Sequence, residues 1–304
     1  MSTPSGIEVR PGRLSDRRRM DEFLSRAARG PGAEETAAFS AAPLSNHILA
    51  IRDGAAIGAC VFVPGAGRCA ALQPPRLLEW DDDLAGSLYR AAAARAFNRD
   101  GARLIQALLG PEGGPLATAL QRAGFEQLAM LAYLRRDVMP EERDTPLPAG
   151  LKWRRYWRLR HGQFARTIAL TYQDSLDCPG LAGLRTVDDA LATHKHTGIF
   201  CPYAWHLVIQ GGEAVGVVLV NNMHGRGEVA YLGVASAARR RGIGRALVAR
   251  AIRDTAVMGL PMIGLAVDVA NTPAMRLYEE TGFREIRRRL AYFIPKEGLA
   301  TLHE

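Results

Sequence analysis

Residues 229–253 combine the features most able to do chemistry in this chain. A short apolar run of strand length, Val229-Ala230-Tyr231-Leu232-Gly233-Val234, is followed by Ala235-Ser236-Ala237-Ala238 and then by Arg239-Arg240-Arg241-Gly242-Ile243-Gly244. A helical pattern takes over, with Leu247, Val248, Ala251 and Ile252 on one face. Strand, glycine-containing cationic turn and helix, in that order, build an anion site. Gly242 and Gly244 let the backbone come close to a ligand, and the helix start offers unpaired N–H groups at its positive dipole end. Three arginines add charge and forked donors suited to phosphate oxygens. Alone, the same turn reads equally as a solvated basic loop or a nucleic-acid patch.

A second stretch separates these readings. Arg239-x-x-Gly242-x-Gly244 resembles the pyrophosphate-binding signature of the GCN5-related N-acetyltransferase (GNAT) superfamily. Some thirty residues on, Asn271-Thr-Pro-Ala274-Met-Arg-Leu277-Tyr278-Glu-Glu-Thr-Gly282-Phe283 resembles that family's second signature, in the expected order and spacing. The resemblance covers about residues 150–296. It implies a cofactor lying in a V between two splayed parallel strands, here about Val229–Val234 and Met262–Val267. Backbone contacts to pantetheine and the acetyl group would come from Leu232, Gly233 and Val234. The pyrophosphate would lie over Arg239, Arg240, Arg241, Gly242, Ile243 and Gly244, with Arg245 and Ala246 at the start of the helix. Asn271 would hold the cofactor arm; its alternative role is to cap the helix opened by Pro273.

The implied reaction is transfer of an acetyl or other acyl group from acetyl-CoA to a primary amine, by direct attack in a ternary complex. The acceptor is a small molecule or a peptide. Such a transfer needs a neutral nucleophile, a polarised thioester carbonyl and a proton for the departing thiolate. Tyr278 occupies the family's tyrosine position, and a phenol is protonated near pH 7 and can donate. Its alternative is to pack its ring under the cofactor. Glu228 matches the position where the histone-acetylating branch keeps a general base, although a strand-end glutamate is also commonly solvent-exposed. The competing function is an idle acyl-CoA sensor or interaction protein that kept the phosphate turn and lost the chemistry.

The elements that must position these residues read as α/β. Strand and helix signals run from Ile7–Arg10 through a helix near Ser15–Ala28, a hairpin His47–Arg52/Ala56–Val63, a helix Leu84–Asn98, a strand Leu104–Leu109, a helix Pro115–Ala123 and a strand Ala129–Arg135. Residues 139–150, with three prolines and the charged run Glu141–Asp144, read as a linker. The pattern then repeats: a strand Leu151–Arg154, a helix Leu159–Tyr172, and a hairpin His206–Gln210/Ala214–Val220. At a constant offset of 158, Gly54, Gly58, Gly86 and Gly124-Phe125 coincide with Gly212, Gly216, Gly244 and Gly282-Phe283. That register predicts a duplication: two tandem GNAT-like domains, each a twisted mixed sheet flanked by helices, similar in layout to mycothiol synthase. The first, residues 1–138, is a degenerate domain without a cofactor site, and residues 151–304 form the catalytic one.

The register also shows what the first half lacks. Asp81-Asp82-Asp83 stand against Arg239-Arg240-Arg241, Leu84 against Gly242, Gly113 against Asn271, Leu120 against Tyr278 and Ala70 against Glu228. Pro74-Pro75 interrupt its cofactor-pairing strand. Its expected role is packing and shaping the acceptor cleft. The second half carries an extra segment, Tyr172 to His196, whose Asp174, Ser175, Asp177, Cys178, His194 and His196 are candidates for an acceptor pocket. Read as metal ligands, Cys178, His194 and His196 lack a recognised spacing, so no metal is expected.

The bulk properties fit a soluble protein: 48% hydrophobic, 23% charged, net charge +8. Residues 1–138 contribute +2 of that charge and the remainder +6, so the excess sits with the candidate phosphate site. The longest apolar run, Ala214–Val220, is too short to span a bilayer. No signal peptide is expected in the first twenty residues, which hold five arginines and no apolar stretch. Four cysteines without paired spacing suit a reducing cytoplasm. Neither a membrane nor a nucleic-acid partner is expected, and nothing in the sequence speaks to oligomeric state.

Overall fold

The computed structural model describes residues 6–27, 39, 41–143 and 145–300. The glycine- and alanine-rich stretch after the first helix lies largely outside these residues. The chain divides into two compact units, Met1–Leu128 with Arg289–Glu304, and Ala129–Arg288.

In chain order the first unit holds β1 (Glu8–Pro11), α1 (Arg17–Arg26), β2 (His47–Arg52), β3 (Ala55–Pro64), β4 (Cys69–Leu72), β5 (Arg76–Leu77), α2 (Asp82–Asp100), β6 (Leu104–Leu109) and α3 (Gly114–Arg122). Strand β7 (Glu126–Asp137) starts there and continues into the second unit. The second unit adds β8 (Leu151–Arg155), α4 (His161–Tyr172), α5 (Val187–Lys195), β9 (Trp205–Gln210), β10 (Glu213–Met223), β11 (Arg226–Val234), α6 (Ile243–Val257), β12 (Met262–Asp268) and α7 (Thr272–Glu280). Strand β13 (Arg284–Pro295) starts there, and from Arg289 onward the chain belongs to the first unit, as does α8 (Lys296–Ala300).

The strands of the two units follow the same pairing plan. In the first, β1, β2, β3, β4 and β6 lie side by side, and residues Leu290–Pro295 of β13 close it on β6. In the second the order is β8, β9, β10, β11, β12, closed by residues Leu131–Asp137 of β7. Among the pairs just named, β4/β6 and β11/β12 are parallel and the others antiparallel. The offset of 158 holds in the structure down to the irregularities. Hairpin β2/β3 skips Ile57 and hairpin β9/β10 skips Val215, its counterpart. The bulged carbonyl is taken in both cases by a residue downstream, Leu78 N–H at 3.0 Å and Ala235 N–H at 2.9 Å.

The boundary read from the sequence falls elsewhere in the structure. Residues 139–150 belong to the second unit: Leu147 packs against its core, and Arg136 pairs with Glu142 at 2.8 Å. The long closing strands are the physical reason. Each follows a Gly-Phe corner in one unit, and its later residues complete the sheet of the other.

Both faces of the second sheet are covered, which is why β10 reads as an unbroken apolar run rather than an alternating one. Val217 and Leu219 pack with Phe164, Ile168 and Trp205. Val218 and Val220 pack with Leu247, Val248 and Ala251 of α6. At the base of β11, a Cβ on Gly227 would lie 2.3 Å from Oγ1 of the buried Thr255, which donates to Ala251 O at 2.8 Å. Gly227→Ala should therefore cost about 1–3 kcal/mol of overpacking in urea unfolding. Adding Thr255→Ala should recover much of that loss. Equal stability of Gly227→Ala and wild type would show that the strand base is not tightly packed.

Candidate active site

Strands β11 and β12 pair only at Gly227↔Ile263 and Glu228↔Gly264. Beyond Glu228 they part, and β11 carries a bulge at Ala230 in its pairing with β10, between Leu219↔Tyr231 and Val220↔Val229. A cavity of about 380 Å³ opens between them, lined by Val229–Val234 on one wall and Leu265–Val267 on the other. A strand edge without a neighbouring strand presents N–H and C=O groups that an extended ligand can pair with. The equivalent strands of the first unit stay paired along the whole of β4, from Cys69↔Leu104 to Leu72↔Ala107.

The cationic turn closes one end of this cavity. Arg240 and Gly242 are left-handed, at φ 62° and 78°, and Gly242 caps α6 with no side chain bonded to the helix start. The first N–H groups of α6 thus stand free for an anion. Of the turn residues named from the sequence, Arg239, Arg240, Ile243 and Gly244 line the cavity. Arg241, Gly242, Arg245 and Ala246 do not. Arg241 donates to Gln210 Oε1 at 3.1 Å, Arg245 pairs with Glu280, and Ala246 is buried in the core. Arg239 is the arginine the signature singles out, yet its guanidinium is spent on backbone carbonyls: Val234 O at 3.0 Å, Asp174 O at 2.7 Å, Gln173 O at 2.8 Å and Thr171 O at 3.4 Å. It ties the end of β11 to the end of α4.

The first unit treats its helix start in the opposite way. The Asp81 carboxylate accepts from Leu84 N–H at 2.8 Å, capping α2. Asp82 accepts from Trp80 Nε1 at 2.6 Å, and both Asp82 and Asp83 pair with Arg122. The chain supplies its own anion there.

Leu232, Gly233, Val234, Asn271 and Tyr278 all line the cavity. Asn271 caps α7, its Oδ1 accepting from Ala274 N–H at 3.3 Å, and its side chain also bonds the Asp177 carboxyl. Tyr278 is buried, with its ring 5.6 Å from Phe283. Burial, reinforced by the Asp177 charge, pushes its phenol well above the ordinary range and keeps it protonated. Glu228 is outside the cavity lining, at the last residue pair before the strands part. Its carboxylate sits 3.1 Å from Arg226, with burial raising its pKa against the pull of Arg226 and Arg287.

The extra segment between α4 and β9 forms a wall of the same cavity through Ser175, Leu176 and Asp177. It is not irregular throughout: Thr186 caps α5, accepting from Asp189 N–H at 3.2 Å while donating to Asp189 Oδ2 at 2.7 Å. A reciprocal link fastens it to the end of β12. Asp268 N–H donates to Asp177 Oδ1 at 2.9 Å, and Cys178 N–H to Asp268 Oδ2 at 3.3 Å. Burial and the two carboxylates push the Cys178 thiol up to about 12, which leaves it no nucleophile at neutral pH. His196 is exposed and bonds Ala192 O, whereas His194 is buried, so the two are not brought to one point. Among the described residues no three His, Cys, Asp or Glu side chains form a metal-holding group.

Sequence reasoning passed over the aromatic cluster beside the cavity. The Tyr231 ring stacks on His194 at 5.1 Å and meets Tyr172 edge-on at 5.3 Å. Its hydroxyl bonds Thr171 Oγ1 at 2.8 Å, and Tyr172 OH lies 3.4 Å from His194 Nε2. The alternation of β11 carried a signal, since Tyr231 is the one aromatic in that strand.

Residues 168–283 match the family model described as Acetyltransferase (GNAT) family. The match covers less than half of the chain. The chain is similar to the mycothiol acetyltransferase of Acidothermus cellulolyticus, 32% identical over 212 residues, covering 60% of this chain and 63% of that protein. The mycothiol acetyltransferase of Streptomyces bingchenggensis is 38% identical over 95 residues, 31% of each chain. Human N-alpha-acetyltransferase 30 is 30% identical over 139 residues, 42% of this chain and 38% of that one. The matches thus span less than two thirds of the length of these relatives. In fold, a GCN5-related N-acetyltransferase from Sphaerobacter thermophilus is similar with a TM-score of 0.63 at 16% identity, covering 97% of both chains. A tandem GNAT protein from the clavulanic acid biosynthesis pathway gives 0.51 at 15% identity, covering 95% of this chain and 98% of that one.

Burial, followed by the Arg185 charge, lowers the His194 pKa to about 3, against a weaker upward pull from a backbone bond to Ala230. The unfolded chain would take up this proton near its ordinary pKa of about 6.5. Stability should therefore fall as pH drops below that value, by about 1.4 kcal/mol per pH unit from this residue. Urea midpoints between pH 6.5 and 5 check this, a window above the ordinary carboxylate range. His194→Phe, which preserves a ring against Tyr231, should flatten the slope. An unchanged slope would mean that His194 is not buried as neutral imidazole.

Proposed function

We propose that the protein is an acyl-CoA-dependent N-acyltransferase that moves an acetyl group from acetyl-CoA to a primary amine by direct attack in a ternary complex. The observation that carries this reading is the open edge of β11, leading without a break into an uncapped, cationic helix start. Together they offer backbone partners for an extended amide-containing arm and donors for a pyrophosphate. The GNAT family match and the mycothiol acetyltransferase and N-alpha-acetyltransferase relatives support the same class.

Each residue then has a defined task. Leu232, Gly233 and Val234 hold the thioester end, and the backbone from Arg240 to Arg245 takes the phosphates. Arg239 fixes the geometry of both by tying β11 to α4. Tyr278, held protonated, is the donor for the departing thiolate. Glu228, with its pKa raised by burial, is the proposed acceptor of the amine proton. The wall formed by Ser175, Leu176 and Asp177 is the part of the cavity free to meet the acceptor, a small molecule or peptide bearing an amine.

Thiol release measured with acetyl-CoA and a panel of small amines and peptide N-termini tests the proposal. Tyr278→Phe should lower kcat by about 100-fold or more while leaving acetyl-CoA affinity within a few-fold of wild type. Tight acetyl-CoA binding with no turnover across the panel would point instead to a sensor. The first unit fills its helix start with Asp81, so calorimetric titration should give one acetyl-CoA per chain. Gly242→Glu should abolish that binding, because it strains a left-handed residue and places a carboxylate at the anion site. A stoichiometry of two would refute the assignment of a single site.

A further inference from the structure

The segment from Gly150 to Gln173 contains Lys152, Arg154, Arg155, Arg158, Arg160 and Arg166 and not one Asp or Glu. In a chain that is 23% charged overall, a stretch of twenty-four residues whose six charges are all positive forms a distinct field. The aromatic residues of this stretch divide into two sets. Trp153 lies under the Arg250 guanidinium, 4.6 Å from its ring centroid. Tyr156 is buried against Phe164 and Trp205 at 5.1 and 5.4 Å. Trp157 and Leu159 do neither. They stand 62% and 88% exposed on the single turn Arg158–Arg160 that joins the outer strand β8 to α4. Nearby in the sequence Lys152, Arg155, Arg158 and Arg160 are exposed too. Arg154 is held by Gln163 Oε1 at 3.2 Å, and Arg160 bonds Arg155 O at 3.0 Å. On α4, Arg166, Ala169 and Leu170 are exposed as well, the last at 38%.

We propose that this face docks on the surface of an anionic phospholipid bilayer. Trp157 and Leu159 would enter the headgroup layer and the surrounding cations would meet the lipid phosphates. Tryptophan favours that layer because its ring is apolar at one end and hydrogen-bonds at the other. Exposed leucine gains there what it cannot gain in water. A polybasic segment attracts anionic lipid, each cation strengthening binding about five-fold near the surface. A single-stranded nucleic acid is also polyanionic, but its bases stack on aromatic faces along a groove. The most exposed apolar side chain here is the aliphatic Leu159, on a short turn rather than in a groove. Among the described residues no helix is long and apolar enough to cross a membrane, so the contact is peripheral.

Co-sedimentation of the full chain with phosphatidylcholine–phosphatidylglycerol vesicles, against pure phosphatidylcholine, tests this. Binding should require the anionic lipid and weaken with salt. Converting Arg155, Arg158 and Arg160 together to Gln should lower partitioning by about 100-fold. Trp157→Ser with Leu159→Ser should lower it by roughly ten-fold or more while all cations remain. These side chains are exposed, so circular dichroism and acetyl-CoA titration should match wild type for every variant. In wild type, vesicles should shift tryptophan emission to the blue, and Trp157→Phe should remove the shift. Equal binding to neutral and anionic vesicles, or unchanged binding by the serine variant, would overturn the proposal. So would preference for a generic oligonucleotide over the vesicles at equal salt.

Discussion

Two parallel strands that stop bonding after two residue pairs leave a backbone edge open in the middle of a sheet, and the rest of the second unit answers to that gap. Unpaired N–H and C=O groups away from water are costly, so chains rarely leave them without a use. The opening here is held from three sides. The Ala230 bulge bends β11 at its start, the Arg239 guanidinium anchors its far end on carbonyls of α4 and the turn beyond, and the Asp177–Asp268 link secures the opposite strand. None of these contacts fills the space, and all of them fix its width. The site is thus a defect in pairing that packing preserves.

The two units show what the same framework does with and without that defect. They share pairing order, bulge position and the offset of 158. In the first, the parallel strands remain bonded along β4, and Asp81 occupies the start of α2. The electrostatics are complementary rather than merely different. A helix start attracts negative charge whatever its source, and one unit meets that demand with Asp81 while at the other no side chain bonds the helix start.

Much of this was legible in the residues. The strand–turn–helix order, the two signatures and the constant register locate most elements within a few positions, because periodicity and glycine placement are local properties, while β4, β5, β13 and α8 have no such signal. What was hidden depends on partners distant in sequence. Nothing near Arg239 says that its guanidinium will reach the carbonyls of Thr171, Gln173 and Asp174 rather than a phosphate. Asn271 turned out to have both an Ala274 N–H and the Asp177 carboxyl as partners, and only the first could be read from spacing. Helix α5 was missed although Thr186-x-x-Asp189 spells a capping box ahead of Leu191. The cationic stretch after Gly150 escaped attention for another reason. Its alternation of arginine and aromatic residues looks like ordinary edge-strand sequence until the structure shows which rings turn inward and which do not.

The exchange of closing strands bears on how the molecule comes to be folded. The first unit's sheet lacks its β6 neighbour until Leu290–Pro295 has been made, so a nascent chain emerging amino-terminus first carries an unfinished sheet through synthesis of the whole second unit. Severing the chain at residues 139–150 would not free two domains; it would leave the first with an uncovered β6 and the second without the strand that covers β12. Neither half of the sequence, cut there, holds a complete sheet of its own. Pairing of Leu290–Pro295 with β6 joins residues far apart in sequence, and contacts of that kind form slowly.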